Sequence, residues 1–189
     1  MNKTKRKIFD TSMKLFADKG YDATSVEEIT AVVGVAKGTL YYHFSSKEEI
    51  FNFLVEEGMK LLKNSIAIKI ANKTSTLDKL KAIVLIQTKV LVKYNDLITI
   101  VLSQVWGNEP RNMTCKKCVF EYLNLVEKII QEGIEKGELK NVDTQMLASG
   151  IFGLTFSCSM YQLKTRKEID IQKTYDDIIS ALFLGLENQ

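Results

Sequence analysis

The chain predicts an all-α protein of about nine helices, a three-helix helix-turn-helix unit followed by a larger helical bundle. Three observations carry this. Its single proline is Pro110, so nearly every segment is open to helix. Apolar residues recur at helical spacing over long stretches, and few stretches show the strict alternation of strands. Glycines and capping residues fall between these stretches, where helices would end and begin.

The first helix begins near Thr4, with Ile8, Ser12, Leu15 and Phe16 on one face, and stops at Lys19–Gly20. Tyr21 anchors the connection. A second helix opens at Thr24 or Ser25. Ser25 and Glu28 have the spacing of a capping box, and Val26, Ile29 and Val33 fall near one face. Gly34 can adopt positive φ, ending this helix and turning the chain into the next. Lys37 to His43 makes a third helix of about two turns. Ser46 and Glu49 form a second capping box, opening a long helix to about Lys69 with Ile50, Phe53, Leu54, Leu61 and Leu62 on its buried side. Two short helices joined through glycine outline a helix-turn-helix, whose second helix enters the DNA major groove.

Ala71 to Ser75 is a polar break. Residues 76–106 are apolar on nearly all sides, implying buried helices, with a turn at Asn95–Asp96. Gly107 to Asn112, containing Pro110, reads as a loop. An amphipathic helix follows from about Met113 to Lys136, closed by Gly137. Asp143 caps the next, to about Lys164, and Glu168 or Asp170 opens the last, ending near Leu186.

Composition excludes several classes. The net charge is only +3, so a nucleic-acid role must rest on where cations sit. Lys3, Lys5, Arg6 and Lys7 form a basic run that suits either a solvated terminus or phosphate contact. Asp10 and Lys14 interrupt the apolar stretch that a secretory signal would need, and no segment has the uncharged length of a bilayer span. A cytoplasmic protein with no membrane partner is expected. His43 is the only histidine, so neither a hydrolytic triad nor a three-histidine metal site can be built, and no cofactor, metal or catalytic residue is expected.

Residues 24–50 carry the functional signal. Lys37, Gly38 and Thr39 present a small, open surface with one cation, suited to close approach to bases and phosphates. Tyr41, Tyr42 and His43 add hydroxyl and ring N–H donors suited to phosphate oxygens. Lys47 stands in the first turn of a helix, where the dipole disfavours a cation unless an anion lies opposite.

These residues, with the approach segment Ile8 to Tyr21, closely resemble the amino-terminal DNA-binding domain of TetR/AcrR-type transcriptional regulators. The matching residues are Leu15, Phe16, Gly20, Tyr21, Thr24, Val26, Ile29, Gly34, Val35, Lys37 to Tyr41, His43, Phe44 and Lys47 to Glu49. The likeness departs at Ala36, where a capping residue is usual, and at Thr30 and Val33, where small alanines are common. It implies a DNA-binding domain over 1–47 and an effector-binding and dimerisation domain over 48–189. It further implies a homodimeric repressor on a pseudo-palindromic operator, released by a small effector. Thr24, Ser25, Tyr42, His43 and Lys47 would then fix register on phosphates, with Tyr42 preferred over Tyr41, while Lys37, Gly38 and Thr39 approach base edges.

Within the second domain the resemblance implies an effector cavity. Tyr94, Gln104, Trp106, Phe120, Tyr122, Phe152, Phe156 and Met160 are the candidate lining, suited to a hydrophobic or amphipathic ligand, although core packing accounts for most such residues. Mixed small and large residues in the last two helices suit either the chain's own core or a four-helix dimer interface, which the resemblance favours, with Leu147, Gly150, Ile151, Leu154, Ile178, Leu182 and Gly185 as candidates. Two other readings stay open. Cys115 and Cys118 form a CxxC that reads first as core or surface cysteines, while the adjacent Lys116 and Lys117 could favour thiolate and a redox-sensing regulator; Cys158 reads as packing. A small helical enzyme with an apolar cavity lacks a convincing acid, base or nucleophile set.

Overall fold

The computed structural model describes residues 3–105, 107–165 and 169–183, with only the backbone of Leu102, Val105, Pro110 and Arg111. Among the described residues all regular structure is helical: α1 (Lys3–Lys19), α2 (Val26–Val33), α3 (Lys37–His43), α4 (Lys47–Ile70), α5 (Thr76–Lys93), α6 (Asn95–Val105), α7 (Pro110–Glu135), α8 (Thr144–Thr165) and α9 (Ile171–Phe183). Trp106, Glu168, Gly185 and Leu186, named above, lie outside the described residues.

The chain divides into two compact units, Met1–Met59 with Asp96–Val119, and Lys60–Asn95 with Phe120–Gln189. The boundary expected at 47/48 falls at the start of α4, whereas packing divides this helix after Met59. The reason is burial: Ile50, Phe51, Leu54 and Val55 of α4 are fully buried, and Phe51 packs on Phe16 and Tyr21.

In the first unit, Ile8, Phe9 and Phe16 of α1, Ile29 and Val33 of α2, and Leu40 of α3 are buried. Gly58 of α4 lets Leu97 of α6 approach so closely that a Cβ there would lie 2.1 Å from Leu97 Cδ2. In the second unit α5 packs on α8 and α9, and α8 on α9. Leu80, Ile83, Ile130, Ile151 and Ile178 are fully buried there. Tyr122 of α7 is also buried, and its hydroxyl donates to Gln87 Oε1 of α5 at 2.6 Å.

Several local expectations change. Leu61 is 42% exposed and Phe53 half-buried, so the buried side of α4 is Ile50, Leu54 and Leu62. Tyr94 breaks the chain between α5 and α6, and Asn95 and Asp96 already belong to α6. Pro110 opens α7 rather than sitting in a loop, because its missing N–H and fixed φ suit the first helical position. Both capping boxes close only in part. Ser25 Oγ accepts from Glu28 N at 3.0 Å, while the Glu28 carboxylate pairs with Lys19. Ser46 Oγ accepts from Glu49 N at 3.0 Å, while the Glu49 carboxylate accepts from Ser45 N and Oγ, each at 2.6 Å. These bonds to Ser45 hold the Glu49 carboxyl below the usual range.

Candidate functional site

The helix-turn-helix is built from cap residues and one turn. Ser25 caps α2, and Gly34, with φ 74° in the left-handed region, ends it by donating its N–H to Thr30 O. α3 starts from Ala36 without a side-chain cap. Leu40 and, just beyond, Phe44 are buried and anchor α3 on its inner side. Lys37, Gly38, Thr39, Tyr41 and Tyr42 are exposed, Tyr42 by 84%. A seven-residue helix thus presents one open face of a cation, a glycine, a hydroxyl and two phenols. A Cβ at Gly38 would meet nothing within 4 Å.

The predicted contact residues separate into two groups. Ser25, Lys37, Gly38, Thr39, Tyr41, Tyr42 and the half-buried His43 reach solvent, and the Tyr42 and His43 rings meet edge to face at 5.1 Å. Thr24 is buried, its hydroxyl donating to Gly20 O at 2.8 Å and Leu15 O at 3.2 Å. Lys47 Nζ donates to Tyr21 O and Thr24 O, both at 2.9 Å, and lies 4.3 Å from the Tyr21 ring centroid. Thr24 and Lys47 therefore tie the α1–α2 turn together. In the basic terminal run, Lys5 lies over the Phe44 and Phe53 rings and Arg6 pairs with Asp10 at 3.0 Å, while Lys3 and Lys7 are exposed.

One participant had no place in the sequence reading. Glu27 of α2 forms an ion pair with Lys37. The Lys37 ammonium holds the Glu27 carboxyl below its ordinary value, and Glu27 raises Lys37 in return. The ten-residue separation across a helix-turn-helix was the available signal.

In the second unit the candidate lining residues have distinct placements. The Tyr122 and Phe152 rings meet at 5.5 Å. Gln87 joins them, accepting from Tyr122 and donating Nε2 to Phe152 O at 3.1 Å. A lone glutamine after Ile83–Ile86 was the sequence signal for this bridge. Burial raises the Tyr122 phenol well above its ordinary value. Phe156 and Met160 are half-buried further along α8, and Tyr94 is half-buried at the end of α5. Phe120 is 61% exposed, so it does not line an enclosed space within its unit. Gln104 belongs to the first unit, where its carbonyl and side-chain oxygens accept from Asn112 Nδ2.

Of the dimer candidates, Ile151 and Ile178 are fully buried within their own chain, which corrects their assignment to an intersubunit surface. Gly150 is exposed, and Leu147, Leu154 and Leu182 are half-buried. The core reading of the cysteines fits their burial, and the thiolate alternative is not supported. Cys115 and Cys118 are buried, and desolvation, with Cys118 adding to it, pushes the Cys115 thiol up to about 12 despite the adjacent lysines. Among the described residues no helix is long and apolar enough to cross a membrane.

Comparison with known proteins fits this geometry. Residues 8–54 match the family described as bacterial regulatory proteins, tetR family, and residues 73–160 match a tetracycline repressor-like C-terminal domain. A Clostridium perfringens protein provisionally described as a fatty acid metabolism regulator is 33% identical, covers 97% of this chain and 100% of its own, and superposes with a TM-score of 0.89. The fatty acid metabolism regulator protein of Bacillus subtilis is 26% identical over 184 residues, 96% of this chain and 95% of that protein. The structure of transcriptional regulator FadR from Bacillus subtilis in complex with stearoyl-CoA superposes with a TM-score of 0.85 at 25% identity, over 96% of this chain and 99% of that one. These relatives are named as regulators, the FadR structure as a transcriptional one, and none of this supports a redox sensor. The chain belongs to the TetR family of bacterial regulatory proteins and is a DNA-binding transcriptional regulator.

Proposed function

We propose that the effector is a long-chain acyl-coenzyme A thioester, whose binding releases the dimer from its operator. The observation that carries this is the likeness, along 96% of the chain, to a regulator whose structure holds stearoyl-CoA. The apolar second unit suits an acyl chain, with Phe152, Phe156 and Met160 of α8 as lining and Tyr122 as a wall fixed by Gln87. Tyr94, half-buried at the end of α5, remains a candidate within the same unit. Residues 1–47 bind DNA, and 48–189 bind effector and dimerise. The protein acts in the cytoplasm and has no enzymatic activity of its own.

On DNA, residues 36–42 enter a major groove, and the dimer spans half-sites roughly 34–36 Å apart. Lys37, Gly38 and Thr39 approach base edges, while Ser25, Tyr41, Tyr42 and His43 hold phosphates. The dimer interface lies along α8, where Met146, Gly150, Gly153, Ser157 and Tyr161 follow one side of the helix. Met146 and Tyr161 are 70% and 68% exposed, and a Cβ at either glycine would meet nothing within 4 Å. That small waist between two large side chains admits a second helix, with Leu147, Leu154 and Leu182 at its margin.

Fluorescence anisotropy on an operator duplex selected in vitro tests the effector. Stearoyl-CoA is expected to release the duplex at micromolar concentration or below, with free coenzyme A and stearate much weaker. Equal release by all three, or by none, would contradict an acyl-CoA effector.

A further inference from the structure

We propose that Lys47 is a positioning residue that latches α4 to the α1–α2 turn, and that it holds the helix-turn-helix in its DNA-reading pose rather than binding a phosphate. The inference rests on the operator-binding reading and assigns Lys47 a different task within it.

The geometry is specific. A lysine ammonium has three donors and no acceptor. Here it meets three consecutive-turn carbonyls: Tyr21 O and Thr24 O at 2.9 Å and Asp22 O at 3.5 Å. Its charge also lies over the Tyr21 ring at 4.3 Å, a cation–π arrangement. Its two short hydrogen bonds and its ring contact are therefore all made inside the protein. These carbonyls stand just past the C-terminus of α1, where helix dipoles favour a cation. That offsets the cost of a lysine in the first turn of α4 and supplies the missing acceptor without DNA.

The opposite side of the same turn is pinned as well. Thr24 bonds back to Gly20 and Leu15 carbonyls, and Tyr21 packs between Phe16 and Phe51. Ser25, the cap of α2, follows Thr24 directly, so fixing the turn fixes where α2 begins. α2 leads through Gly34 into α3. Lys47 is thus the side-chain link from the first residue of α4 to the start of the helix-turn-helix, twenty-three residues back at Thr24. α4 continues unbroken to Ile70, from residues of the first unit into residues of the second. A displacement of α4 would pull on the turn through this latch.

A phosphate contact and a latch predict different salt dependence. Losing one phosphate contact flattens the log Kd against log salt slope by about 0.9 and lets the two proteins converge at high salt. Losing a latch lowers the fraction of protein in the competent pose, which weakens binding by one factor at all salt concentrations.

The experiment uses the full-length dimer, a duplex it selects from a randomised pool, and the Lys47→Met variant, with Lys37→Met as the groove-facing comparison. Expected for Lys47→Met is a loss of about tenfold with an unchanged slope. A slope flattened by about 0.9 would overturn the latch and leave operator binding intact. Failure of the wild type to enrich any sequence would instead overturn the operator reading, and the latch with it. If Lys47→Met does not fold, the wild-type operator complex decides by crystallography. Nζ on the Tyr21 and Thr24 carbonyls supports the latch, and Nζ on a phosphate oxygen overturns it.

Discussion

Glu27 of α2 holds Lys37, the first residue of α3, in an ion pair on the open face of the helix-turn-helix. Both side chains are exposed, so the pair contributes little to the fold. On the proposed operator reading its effect falls on DNA, because Lys37 would exchange a carboxylate for the duplex and Glu27 would repel phosphates. Glu27→Gln is expected to tighten binding to random duplex by a few-fold and to steepen its salt slope, with thermal stability unchanged. Unchanged affinity and slope would count against the competition. The pair also sets a pH response. Glu27's carboxyl is lowered, so the pairing is complete above the ordinary carboxylate range and is lost as pH falls through the lowered value. At that acidity the wild type should approach Glu27→Gln.

Gly38 separates folding from recognition. A Cβ there meets open space in the protein, and alanine is the better helix former by up to roughly 1 kcal/mol. Gly38→Ala should therefore unfold at the same or a higher temperature while binding operator about tenfold more weakly, if α3 approaches the groove floor closely. Thermal unfolding and operator anisotropy on one preparation check both halves. Undiminished operator affinity would mean that Gly38 does not meet DNA.

Tyr122 and Gln87 form the polar link inside the second unit. Tyr122→Phe removes the donor and leaves Gln87 Oε1 buried without it, at a cost of about 1–3 kcal/mol. For a chain of this length that lowers the melting temperature by roughly 2–4 °C per kcal/mol. A variant as stable as wild type would show that the bridge is dispensable.

The cysteines should be quiet. With its thiol pushed up to about 12, Cys115 remains protonated at neutral pH and should alkylate slowly in the native protein. Operator affinity should be equal under oxidant and reductant, and Cys118→Ser should behave likewise. The raised thiol also contributes a pH dependence. Its share of stability is fully present below the ordinary thiol value of 9.0 and is lost as pH rises toward about 12. Oxidant-dependent loss of operator binding would revive redox sensing.

What the sequence reveals here depends on where an interaction's partner is written. Helix ends were legible because caps are local: Ser25, Gly34, Asp143 and Asp170 each act within a few residues. Pro110 was misplaced because proline both breaks helices and begins them, and only its neighbours' backbone decides which. The role of Lys47 was hidden because its partners are backbone carbonyls, which every residue carries. A cation without a visible acceptor then looks like a phosphate ligand. The thiolate alternative at Cys115 falls for the opposite reason: Lys116 and Lys117 are adjacent in sequence, yet burial sets the thiol. Ile151 and Ile178 share the small-and-large pattern of their helices, and only packing separates the face turned to α5 from the face left open.

Coupling between the two ligands is the most direct test of a ligand-responsive repressor, because linkage makes it reciprocal. Calorimetric titration of stearoyl-CoA into the dimer, alone and saturated with selected operator, measures it. The account predicts that operator weakens stearoyl-CoA binding by the same factor, about 5–150-fold, by which stearoyl-CoA weakens operator binding. Equal stearoyl-CoA affinity with and without operator would contradict it.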